Sequence, residues 1–161
     1  MKLSYVLLGI IPLLACDDDP YLVNPESSAG NPGSVSNTFP DDYTDELNRQ
    51  VRLTEVIVDD TNGQLQIWNA TSNVEHATTE FSKLLTRANN VVIALGRLNP
   101  PSQYNTAHST FRGAVQSLVS ALSATLEYLR SDATDEDALL RANIEMVEYN
   151  KQKDRFNELL N

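Results

Sequence analysis

The chain has 161 residues, enough for one modest core, and 41% of them are apolar, as in an ordinary globular domain. Its net charge of −10 repels phosphate backbones and anionic surfaces, which excludes nucleic acid as a partner. The single cysteine excludes an internal disulfide and a thiolate metal cluster.

The first element is an uncharged run. After Lys2, residues 3–15 (Leu-Ser-Tyr-Val-Leu-Leu-Gly-Ile-Ile-Pro-Leu-Leu-Ala) carry no charge. As a helix this run spans only ~20 Å, short of a ~30 Å hydrocarbon core, and Pro12 disturbs it near its end. The length matches the apolar region of a secretory signal rather than a permanent span. An ordinary signal wants small residues at −1 and −3 of the cut. Ala15 is small, but Leu13 is not.

Leu13-Leu14-Ala15-Cys16 resembles the lipobox of bacterial lipoproteins. That resemblance covers residues 1–16. It implies cleavage between Ala15 and Cys16, a diacylglycerol on the Cys16 sulfur, and a further acyl chain such as palmitate on the new amino group. One acyl chain holds a protein marginally, at ~0.8 kcal/mol per buried CH₂, whereas two or three hold it stably. Loss of residues 1–15 removes only one charge, Lys2, so the remainder is still more acidic. The start Cys16-Asp17-Asp18-Asp19 resembles that of Bacteroidota surface lipoproteins, and the stretch to Glu26 is similar to the first residues of SusD-type glycan-binding lipoproteins. The chain is far too short for that larger family, and nothing after residue 26 matches it. An aspartate directly after the cysteine is associated in enterobacterial lipoproteins with inner-membrane retention, so the two resemblances point to different membranes. The outer membrane or cell surface is the expected location.

Residues 16–40 read as the lipidated cysteine and a flexible linker. Pro20, Pro25, Pro32, Pro40, Gly30 and Gly33 interrupt any pattern, and no apolar periodicity appears. At ~5–6 Å × √n the linker's ends lie about 27 Å apart, with a stretched limit of about 80 Å. Tyr21, Leu22 and Val23 form a short apolar trio within it.

Residues 41–161 read as a helical domain. The spacing of Tyr43, Leu47, Val51, Thr54 and Val58 predicts a first helix over about 41–58, capped by Asp41 or Asp42. Val56, Val58, Asn62-Gly63, Leu65 and Ile67 also match a β-hairpin with an Asn-Gly turn, so residues 54–68 are either a helix-turn-helix or a hairpin. The second helix is expected over about 65–98. Ile67, Val74, Phe81, Ala88 and Leu95 recur every seven residues, with Ala70, Ala77, Leu84, Val91 and Leu98 between them. Asn99-Pro100-Pro101 stops it.

The third helix is expected over about 102–131, capped by Ser102. One core column is Tyr104, Phe111, Leu118 and Thr125; the other is Ala107, Ala114, Ala121 and Tyr128. The fourth, over about 134–160, opens on Thr134-Asp135-Glu136-Asp137, a cap followed by acids at the positive helix end. Its seam is Leu139, Ala142, Met146, Tyr149, Phe156 and Leu160. Lys153 interrupts the seam, either snorkelling to solvent or setting register. Short connections make neighbours antiparallel, so the expected fold is an all-α, up-down-up-down four-helix bundle. Leu140, Ile144 and Val147 make a second apolar stripe on the last helix, and the first helix is expected to cover it.

No catalytic constellation is present. His76 and His108 belong to no Glu-x-x-His pair, and no Gly-x-Ser-x-Gly or phosphate loop occurs. No metal or other cofactor is expected. The expected function is a membrane-anchored, non-catalytic lipoprotein whose bundle binds another envelope protein or serves a structural role. Its partner-binding candidates are Leu140, Ile144, Val147 and Trp68. Trp68 is either an exposed anchor or a cover for the bundle's end. The alternative is a small-ligand or metal carrier with a pocket near Tyr104, His108, Thr125 and Tyr128, polar groups on a core column. Heptads this regular can also serve self-association, making a homo-oligomer a further partner class.

Overall fold

A computed structural model describes residues 40–160; the signal-like start, Ala15, Cys16 and the linker with its apolar trio lie outside the described residues. The described chain forms four α-helices: α1 (Pro40–Thr71), α2 (Val74–Arg97), α3 (Asn105–Arg130) and α4 (Glu136–Leu160), with a 3₁₀ turn at Ser102–Tyr104. They pack as the expected all-α four-helix bundle. α3 is its central member, packed most extensively on α4 and next on α2.

The first boundary differs from expectation. α1 does not end near residue 58 but continues through Asn62-Gly63 to Thr71, so residues 54–68 are neither a hairpin nor a helix-turn-helix. The cause is the inward face. Tyr43, Leu47, Gln50, Thr54, Ile57, Thr61 and Leu65 are all buried, spaced by three and four without a break, and Val58 is buried beside Ile57. Continuous burial on one face outweighs the local turn preference of Asn-Gly. Asp41 and Asp42, expected as caps, stand inside the helix, because it already begins at Pro40; a proline suits a first helical turn.

The actual turn is tight. Ser72 takes a left-handed φ of 53° while its N–H bonds the Trp68 carbonyl at 2.7 Å. Asn73 then caps α2, its side-chain oxygen accepting from the His76 N–H at 3.0 Å. The heptad pattern is therefore real only from Val74 onward. Ala77, Phe81, Leu84, Ala88, Val91 and Leu95 are buried and Val74 is half-buried, whereas Ile67 and Ala70, which belong to α1, are exposed.

Two other starts shift. Ser102 opens the 3₁₀ turn rather than α3. The α3–α4 turn puts both Asp132 and Ala133 in the left-handed region. Asp135, not Thr134, caps α4: its Oδ1 accepts from the Ala138 N–H at 2.9 Å, while the Thr134 hydroxyl donates to the Ser131 carbonyl at 2.6 Å.

The core joins all four helices. Phe111 of α3 meets Phe156 of α4 with ring centres 4.8 Å apart. Tyr149, Phe81, Leu47, Ile57, Leu95 and Leu118 are almost wholly buried around them. Lys153 resolves as a cross-helix pair, its Nζ 3.4 Å from the Glu55 carboxylate of α1.

Candidate partner-binding face

α4 carries two apolar faces. Its inward face is Ala138, Leu139, Ala142, Met146, Tyr149 and Phe156, all buried. Leu140, Ile144 and Val147 point the other way, centred roughly 165° around the helix at ~100° per residue. They are 58%, 58% and 62% exposed. The expectation that α1 covers this stripe is overturned, because α1 packs on the inward side, where it meets α4 through Glu55 and Lys153. The stripe is left as an open apolar strip in which Asn143, Glu145 and Glu148 line a shallow depression with Ile144 and Val147.

Charges frame the strip. Glu148 accepts from Gln152 at 2.8 Å and sits 3.5 Å from Lys151 Nζ; the Gln152 bond first, and Lys151 with it, hold its carboxyl below the usual range. Arg141 reaches across to Glu127 of α3. Asp137 lies in the first turn of α4, where its charge suits the helix's positive end.

Trp68 does not belong to this face. It is half-buried and meets Tyr128 edge-on at 5.9 Å, closing a small cluster with Ala138 and Leu139 at the bundle's end. Of the two roles considered, covering the end is the one observed.

The four residues of the alternative pocket do not converge. Tyr104 and His108 lie at the start of α3 and Tyr128 near its end, so His108 and Tyr128 are about 30 Å apart along the helix. The Thr125 hydroxyl is occupied by the Ala121 carbonyl at 2.9 Å. Tyr104 and His108 instead join Tyr43 of α1. Tyr43 stacks on Tyr104 with centroids 5.7 Å apart, and its hydroxyl lies 3.2 Å from His108 Nδ1. Burial, and secondarily Tyr104, push the Tyr43 hydroxyl up to about 12, so it keeps its proton and donates. Burial first and Arg112 second pull His108 below its ordinary value, while a backbone hydrogen bond at Leu95 acts the other way. The ring is therefore neutral, with Nδ1 accepting and Nε2 carrying the proton. His76 is exposed on α2. Among the described residues, no three His, Cys, Asp or Glu side chains gather as a metal site requires.

One surface feature has no sequence forerunner. α1 and α2 leave an open groove floored by Ile57 and Val91 and rimmed by Arg49, Leu53, Arg87 and Asn90. Both arginines are engaged, Arg49 by Glu46 at 2.7 Å and Arg87 by Asp60 at 2.6 Å. Only the α1–α2 register creates it, and that register depends on a turn that the sequence pattern placed elsewhere.

The chain matches no family model, no curated protein and no solved structure.

Proposed function

We propose that this chain is a bacterial envelope lipoprotein that presents a non-catalytic helical bundle for protein binding. Leu13-Leu14-Ala15-Cys16 supports the anchoring half of this reading. Cys16 carries the diacylglycerol, residues 1–15 are removed, and acyl chains rather than a polypeptide span hold the product on the outer membrane or cell surface. Among the described residues, no helix is long and apolar enough to cross a membrane.

The observation that carries the binding half is the outward strip of α4. Leu140, Ile144 and Val147 do nothing for the core, and an ordered row of three large aliphatic side chains on a helix otherwise rich in charge is the pattern of a helix-to-protein contact.

Two measurements test it. The mass of the membrane-extracted protein should equal residues 16–161 plus acyl chains. Cys16→Ser should leave the chain uncut or release it from the membrane fraction in a high-salt wash. Normal trimming and continued membrane retention of that variant overturn the anchoring reading. Separately, Leu140→Asp with Val147→Asp should abolish association while leaving the fold intact; unchanged association overturns the binding reading.

A further inference from the structure

The outward face of α4 is close to two-fold about Ile144. Leu140, four positions back, and Val147, three positions on, lie on the same side of it, so an antiparallel copy centred on Ile144 sets Ile144 against itself and brings Leu140 to within one residue's rise, ~1.5 Å, of Val147 of the other chain. The match extends to charge. Asp137 and Lys151 lie on the same line of the helix, each seven residues from Ile144, so each acid meets a lysine at both ends of the seam. On one flank, Arg141 and Glu148 are three and four residues from Ile144 and meet each other's counterparts in the same way.

We infer that the covering partner of this face is a second copy of the same chain, docked antiparallel through α4 about a two-fold axis at Ile144. The inference rests on reading that face as the interaction surface and names its occupant. A two-fold contact requires a self-complementary patch, and an apolar centre flanked by opposite charges at mirrored distances meets that requirement. A heterologous partner has no need of such mirror symmetry. The chain's overall acidity opposes association, so local pairing has to place cations against anions, as Lys151 and Arg141 do. The existing contacts of these groups are compatible. Glu148 and Lys151 face each other loosely at 3.5 Å on the surface, and Arg141 has further donors beyond its bond to Glu127. The seam is short, so the dimer is concentration-dependent, and confinement of two copies to one membrane raises their effective concentration.

The test uses the full chain in its native membrane. Ile144→Cys should give, on mild oxidation, a disulfide-linked species of twice the chain mass; Gln116→Cys, exposed on α3, should not. The unsubstituted chain fixes any background from Cys16. Asp137→Lys alone or Lys151→Asp alone should lower the crosslinked yield of the Ile144→Cys chain about tenfold, since each replaces two attractions by two repulsions. The two together should restore it to within about twofold, because the pairs are rebuilt with reversed sense. Failure of the double exchange to exceed the single ones overturns the antiparallel register. A crosslink from Ile144→Cys to a different polypeptide overturns the dimer while leaving the face an interaction surface. No crosslink of any kind overturns both readings.

Discussion

The Tyr43 hydroxyl donates to Nδ1 of His108 across 3.2 Å and so ties the first turn of α1 to the first turn of α3. Both side chains are buried. Tyr43→Phe should cost about 1 kcal/mol or somewhat more, since it leaves Nδ1 buried and unpaired. Urea denaturation at neutral pH checks this. A loss below about 0.3 kcal/mol would mean that water replaces the hydroxyl.

The same pair sets a pH dependence. His108 is pulled below 6.5 in the folded chain, chiefly by burial. Well above 6.5, neither the folded nor the unfolded state carries the proton. As pH falls through 6.5 the unfolded chain binds it and the folded chain does not, so stability declines until the lower folded value is reached, and then levels off. Denaturation midpoints between neutrality and mild acid should trace that decline, and His108→Gln should flatten it. A decline of equal slope in the variant would assign the proton uptake to other groups.

The α1–α2 turn invites a paired test. Ser72 sits at φ 53°, which costs an L-residue free energy that glycine avoids, so Ser72→Gly should raise stability by about 0.5–1 kcal/mol. Asn73→Ala removes the oxygen that receives the His76 N–H and should lower stability by about 1 kcal/mol. Thermal melts of the two variants should move in opposite directions.

How much of this was legible in the sequence follows from which signals are long-range. The bundle itself was readable, because runs such as Phe81, Leu84, Ala88, Val91 and Leu95 repeat a helical period far longer than any competing local preference. The turn between α1 and α2 was not. Asn62-Gly63 is a strong local turn signal, while Ser72-Asn73 is a weak one, and only the burial of Thr61 and Leu65 on either side of Asn62-Gly63 decides between them. The Leu140–Val147 stripe was visible as a pattern, but its exposure depends on where α1 packs. Tyr43 and His108 are 65 residues apart, and no periodicity predicts a contact across that distance.

Two glycines inside helices should respond differently to alanine. A Cβ on Gly63 meets nothing within 4 Å, so Gly63→Ala should stabilise the chain by about 0.5–1 kcal/mol through helix propensity alone. A Cβ on Gly113 falls 2.5 Å from Gln152 Oε1, at the close approach of α3 and α4. Gln152 is the far end of a flexible side chain but is held by Glu148, so Gly113→Ala should gain clearly less, because that hydrogen bond is disturbed. Equal gains in the two variants would show that Gln152 swings aside freely.

Lys153 tests what a charge on the seam contributes. Its side chain is only 19% exposed, its stem packs among the helices, and its head meets Glu55, which is 45% exposed. A pair this close to water is worth at most about 1 kcal/mol and is weakened by salt. The stem is a separate contribution from packing. Lys153→Met keeps the stem's volume and should therefore stay within about 1 kcal/mol of the parent chain or exceed it, whereas Lys153→Ala should lose about 1–2 kcal/mol. Glu55→Gln should cost little in either background, and its small effect should shrink at 1 M salt. If Lys153→Met instead costs more than about 2 kcal/mol while Lys153→Arg is tolerated, the positive charge itself fixes the register of α1 against α4, and packing of the stem is secondary.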